Sequence, residues 1–157
     1  MRSLVLAHTS ARTAPELREV WQQRLDHFQR HGIESQIEPT LARWFTKPFA
    51  DACPMTMGWV ARQIRATSPA GYASAIGAIQ GLDHLDRLAE IDAPTLVVAG
   101  ECDAAVPPAA ASAMAARVPH AELLVLKDAG HIGNVEQALS FTEGVGRFLC
   151  NGLTSAP

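Results

Sequence analysis

The chain has 157 residues, 48% hydrophobic and 18% charged, which suits one globular domain with a real core and excludes a disordered polymer. Its net charge of −3 and its scattered Lys and Arg give no electrostatic reason to expect nucleic acid or an anionic membrane as a partner. No stretch approaches the ~20 apolar residues of a membrane span, and Met1-Arg-Ser-Leu-Val-Leu-Ala is too short for a secretory signal, so a cytoplasmic location is expected.

In chain order, Ser3–Ala7 is a short apolar run that reads as a buried strand. Thr13-Ala-Pro-Glu16 has the form of a capping box with proline in the first turn. The helix after it places Leu17, Val20, Trp21, Leu25 and Phe28 on one face and ends at Gly32. Pro39 is expected to open a short helix through Phe45. Pro54 opens another that holds Met55, Trp59 and Ile64. Pro69 opens a further one around Tyr72, Ile76 and Ile79, ending near Gly81. A last turn or two follows between Asp83 and Ile91, with Leu85 and Leu88 inward.

The pattern then alternates. Pro94–Gly100 and Ala121–Leu126 read as strands, and an alanine-rich helix over Pro107–Val118 lies between them. Asn134 is expected to cap a final helix with Val135, Leu139, Val145, Phe148 and Leu149 on its apolar side, and the tail 151–157 to fray. The expected organisation is a first strand in 1–12, a helical insertion in 13–92 and a strand-helix-strand-helix core in 93–150. Strands alternating with helices predict an α/β fold with about three parallel strands. Ligands in such sheets bind beyond the carboxyl ends of the strands, so the helical insertion reads as a lid.

Two strand ends carry reactive residues. Gly100-Glu-Cys-Asp103 follows one, and Asp128-Ala-Gly-His131 follows the other. Parallel strands deliver both loops to one sheet edge, where a carboxylate can hold an imidazole in the tautomer that acts as a general base. Read singly, an Asp after a strand is a turn residue and a Gly-His is an ordinary loop histidine. The order and strand context of the two together favour a functional pair.

Pro94-Thr-Leu-Val-Val-Ala-Gly-Glu-Cys-Asp103 with Pro107, then Ala129-Gly-His131 and Glu136, resembles the C-terminal half of the α/β-hydrolases, whose triad runs serine, acid, histidine. The resemblance implies Asp103 as the acid and His131 as the base. Leu41-Ala-Arg-Trp-Phe-Thr46, Phe49, Thr67-Ser-Pro-Ala-Gly-Tyr72 and Val135-Glu-Gln137 resemble the cap and histidine loop of 3-oxoadipate enol-lactonases of the β-ketoadipate branch of aromatic catabolism. That likeness implies a small lactone or ester substrate bearing a carboxylate. Two readings of Arg43 and Trp44 stand side by side: a substrate clamp and pocket wall, or a surface arginine and a cap-core tryptophan.

No Gly-x-Ser-x-Gly is present. Gly71-Tyr-Ala-Ser-Ala-Ile-Gly77 has the wrong spacing and lies in a helical pattern, and Ser10 has no flanking glycines. Without a nucleophile the chain is expected to be inactive alone, and its first strand to offer an open apolar edge to another chain or a second copy. Three possibilities follow: a truncated lactonase-like hydrolase, one half of a split enzyme, or a non-enzymatic binding or assembly module.

No cofactor or metal is implied. Cys53, Cys102 and Cys150 lack a short ligand spacing and read as reduced thiols. His8, His27, His31, His84 and His120 read as surface or helix-cap residues.

Overall fold

The structure is a computed structural model that describes residues 2–154, with side chains through residue 150. Three strands, β1 (Leu4–Ala7), β2 (Thr95–Gly100) and β3 (Ala121–Leu126), form a parallel sheet in the order β1-β2-β3. Leu4 pairs with Thr95, and Thr95 with Ala121, so the three carboxyl ends lie at one edge. β2 is buried along its whole length because it is central and covered on both faces. The expectation of a buried first strand is corrected: β1 is half-buried and pairs with β2 alone among the described residues. Leu4 and His8 donate their N–H groups to Pro94 and Val98. The alternation of a parallel ladder therefore turns the backbone groups of Val5 and Ala7 away from β2.

Helices α6 (Pro108–Ala115), α7 (Gly133–Glu136) and α8 (Ala138–Thr154) accompany the sheet, with a 3₁₀ turn over Leu85–Glu90. One face packs Val97 and Ala99 against Leu88, Ala111, Met114 and Val118. The opposite face packs Leu96, Val98 and Leu126 against Ala129 and Phe148, with Phe141 and Val145 beside them. The alternation of Val97 and Ala99 with Leu96 and Val98 sends successive side chains to opposite cores. Each large side chain so buried stabilises the fold by roughly 1.5–3 kcal/mol.

The chain divides into two compact units. One comprises Met1–Ala11, Arg43–Thr46 and His84–Pro157, and the other Arg12–Ala42 and Lys47–Asp83. The second unit is helical: α1 (Pro15–His31), α2 (Glu34–Trp44, whose last residues belong to the first unit), α3 (Lys47–Ala52), α4 (Pro54–Arg65) and α5 (Pro69–Gln80). α1 ends at Gly32, whose φ of 74° lets its N–H turn back to the Phe28 carbonyl, a conformation glycine adopts without a Cβ penalty. Ser68 caps α5 by accepting from the Gly71 N–H.

Several sequence expectations are overturned here. Thr13 does not cap α1; Ala14 occupies that position, and the buried Thr13 hydroxyl donates to the Ile79 carbonyl at 2.6 Å. Pro39 lies inside α2 rather than opening it, at the loss of one intrahelical hydrogen bond. Of the apolar face expected on α1, only Phe28 is buried, and Leu17 and Val20 are exposed. On α4, Val60 and Ile64 face inward, whereas Met55 (88% exposed) and Trp59 do not. Asn134 sits within α7 and caps nothing, and Leu139 (80% exposed) and Leu149 face outward. The backbone of α8 runs to Thr154, and residues 155–157 of the expected tail lie outside the described residues.

Candidate active site

The loop after β2 is shaped by its own hydrogen bonds. Asp103 Oδ1 accepts from the N–H groups of Ala105 and Val106, both at 2.8 Å, which closes an Asx-type turn and fixes the carboxyl group. The loop after β3 turns at Asp128, whose φ is 54° and whose N–H donates to Glu101 Oε2. Cys102 N–H donates to the Ala129 carbonyl, tying the two loops together. A Cβ on Gly100 would overlap the carbonyl oxygens of Ala129 and Gly130, so a residue without a side chain is required where the loops touch.

The two residues singled out in the sequence meet. His131 Nδ1 lies 2.9 Å from Asp103 Oδ2. The carboxylate is buried, with Asp103 only 4% exposed. Burial alone would raise the Asp103 pKa. The hydrogen bond from His131, the nearby His8 and the Val106 N–H together outweigh it and hold the group well below the ordinary carboxylate range. Asp103 is therefore an anion at neutral pH, and His131 donates Nδ1–H to it. The other ring nitrogen, Nε2, has no hydrogen-bond partner among the described residues, and the side chain is 20% exposed. An imidazole held in this way presents a lone pair at Nε2.

Trp44 joins the pair: its ring centroid lies 6.2 Å from that of His131, and its carbonyl accepts from the Ile132 N–H. Arg43 precedes it in the last turn of α2, half-buried and in the same compact unit. Glu136 fastens this segment to the histidine loop. Its Oε1 accepts from both the N–H and the hydroxyl of Thr46, each at 2.8 Å, and its Oε2 accepts from the Gly130 N–H.

His8 corrects the sequence reading. It is not a surface histidine: its side chain is only 7% exposed and lies with Nδ1 3.7 Å from Asp103 Oδ2, its ring edge-on to that of His131. The signal available was positional, because His8 directly follows the last residue of a strand and so reaches the same sheet edge as the other two loops. Among the described residues no group of three or more His, Cys, Asp or Glu side chains is placed to hold a metal ion.

A parallel sheet that delivers a buried carboxylate and its partner imidazole on successive strand ends defines a hydrolase-type α/β architecture. The chain belongs to the alpha/beta hydrolase fold family, which residues 1–138 match. It is similar to 3-oxoadipate enol-lactonase 1 of Acinetobacter baylyi, with 29% identity over 142 residues that cover 90% of this chain and 52% of that protein. It is also similar in structure to the enol-lactonase of Burkholderia xenovorans LB400, with a TM-score of 0.88 and 32% identity over 94% of this chain and 56% of that one. A thermophilic esterase from Thermogutta terrifontis matches with a TM-score of 0.86 and 28% identity, over 96% of this chain and 56% of that one. The chain thus spans about half the length of the relatives it matches. No helix among the described residues is long and apolar enough to cross a membrane.

Proposed function

We propose that this chain supplies the acid and base of a serine hydrolase acting on an enol-lactone or related carboxylic ester, with the nucleophile provided by residues outside this sequence. The observation that carries the reading is the 2.9 Å contact between His131 Nδ1 and the buried Asp103 carboxylate. In the proposed reaction a serine hydroxyl attacks the carbonyl carbon and His131 Nε2 accepts its proton. Asp103 orients the ring and stabilises the imidazolium. The same proton then passes from Nε2 to the leaving oxygen, and water attacks the acyl-enzyme by the same base catalysis.

The similarity to two enol-lactonases favours a lactone substrate, specifically the 3-oxoadipate enol-lactone of β-ketoadipate metabolism, and the similarity to an esterase supports the broader ester class. Under this reading Trp44 walls the pocket beside His131, and Arg43 clamps a substrate carboxylate. The segment 13–92 is the lid-forming insertion.

The test joins the chain to the segment of the Burkholderia enol-lactonase that precedes the matched region, either fused or co-expressed. A folded product that hydrolyses enol-lactone or aryl esters, and loses that activity by roughly 10⁴-fold or more on His131→Ala, supports the reading. A folded product that turns over neither substrate sinks it. A second reading is favoured by the outward-facing backbone groups of Val5 and Ala7: the chain pairs through β1 with another polypeptide or a second copy. A β1-dependent homodimer with no hydrolase activity after reconstitution would support that reading.

A further inference from the structure

His8 has no part in the reaction just described, yet the fold spends three features on its position. It directly follows β1, where its N–H still donates to the Val98 carbonyl at 2.8 Å. Its backbone then turns with φ of 49°, a left-handed conformation uncommon for a residue with a side chain. The ring enters a slot that only glycine leaves open: a Cβ on Gly133 would stand 2.5 Å from His8 Cε1 and 2.7 Å from Nε2.

The slot is costly to a polar ring. Both His8 nitrogens are buried without a hydrogen-bond partner, so each has given up its hydration with nothing in its place. The charged group that the ring faces is the Asp103 carboxylate, with Nδ1 at 3.7 Å from Oδ2, the same oxygen that accepts from His131. That separation is longer than a hydrogen bond and within reach of a strong electrostatic contact. The sign of the contact depends on the tautomer. A lone pair on Nδ1 would face an anion and repel it, whereas an N–H would attract it.

We propose that His8 is a positioning residue for Asp103: its Nδ1 carries a hydrogen aimed at Oδ2, so that two imidazoles hold one carboxylate oxygen and keep it in line with His131. The backbone N–H groups of Ala105 and Val106 hold Oδ1, and His8 and His131 hold Oδ2 from two sides. Rotation of the carboxylate about its Cβ–Cγ bond would then break contacts at both oxygens. The inference takes Asp103 and His131 as the acid and base proposed above. Its test reads a proton rather than turnover, so its failure would leave the hydrolase reading standing.

The experiment is long-range ¹H–¹⁵N correlation NMR on the full chain, with the His8 and His131 ring signals assigned. The expected result is a protonated, pyrrole-type Nδ1 on His8, together with a low-field Nδ1 proton on His131. His8→Gly and His8→Asn both tolerate the left-handed backbone, and the Asn amide nitrogen sits where Nδ1 does. The low-field His131 proton should be lost in His8→Gly and retained in His8→Asn. A pyridine-type Nδ1 on His8 in the unmodified chain overturns the proposal whatever the variants do, and it decides the question alone if His8→Gly fails to fold. A His131 proton that persists in folded His8→Gly overturns it as well.

Discussion

Removing the Glu136 carboxylate should destabilise the chain far more than a half-buried glutamate ordinarily does. Three donors converge on it: the Thr46 N–H, the Thr46 hydroxyl and the Gly130 N–H. Charge-assisted hydrogen bonds contribute up to about 1.5–3 kcal/mol each, but Glu136 is only partly buried, and water can re-solvate what the substitution exposes. A discounted value of about 1 kcal/mol per bond gives about 3 kcal/mol for Glu136→Ala. In a chain of this size that lowers Tm by roughly 6–12 °C. Glu136→Gln keeps one acceptor oxygen and turns an NH₂ toward the remaining donors, so its loss should be intermediate. Urea unfolding with Glu143→Ala as an exposed control is the assay. If Glu136→Ala unfolds within about 0.5 kcal/mol of that control, the convergence of three bonds on one carboxylate does not hold the histidine loop, and the reasoning fails.

Asp103→Asn should leave Oδ1 bonded to Ala105 and Val106 but present an amide N–H to His131, forcing the ring into the Nε2–H tautomer. Reconstituted activity should then fall by roughly 10⁴-fold, measured as kcat. The same variant tests pH dependence. Because folding depresses the Asp103 pKa, its stabilising contribution is present above the unfolded value of about 3.9 and is lost as pH falls toward the folded one. The gap in unfolding free energy between the unmodified chain and Asp103→Asn should therefore narrow from pH 7 to pH 3; a constant gap in urea titrations would contradict the assignment. Gly100→Ala places a methyl group against two backbone carbonyls that cannot swing aside, and should cost roughly 3 kcal/mol or more, read from the shift in urea midpoint.

The parts of the fold readable from sequence are those governed by local pattern. β2 and β3 are short apolar runs closed by turn residues, and the helix-opening prolines 15, 54 and 69 act within their own first turns, whereas the helix expected over Pro107–Val118 is shorter, with Pro107 as its N-cap and its end at Ala115. Asp103 and His131 were legible because each follows a strand at short range, and parallel topology alone brings them to one edge. The failures are non-local. Thr13 gives its hydroxyl to Ile79, a carbonyl no capping rule could name. Leu17, Met55 and Leu139 fit a helical apolar stripe, but a period does not say whether anything covers the stripe. Pro39 sits inside α2 because the helix begins earlier, at Glu34, than a proline-start rule allows. His8 escapes any rule based on the spacing of histidines and cysteines, because its partner is a carboxylate nearly a hundred residues away.

The pairing order of the sheet also sets an order in time. β2 and β3 close over a single helix, whereas β1 reaches β2 only across the whole helical stretch, a loop more than three times as long. At about 0.6 kcal/mol for each doubling of loop length, β1 docks against an entropic handicap of roughly 1 kcal/mol relative to β3. The β2-α6-β3 unit is thus the natural nucleus, and β1 the late arrival. A folding chain caught between the two steps carries a finished parallel strand-helix-strand unit with one flank of its most buried strand still bare. In native-state hydrogen exchange, the amides of Leu4, Leu6 and His8 should open before those of β2 and β3.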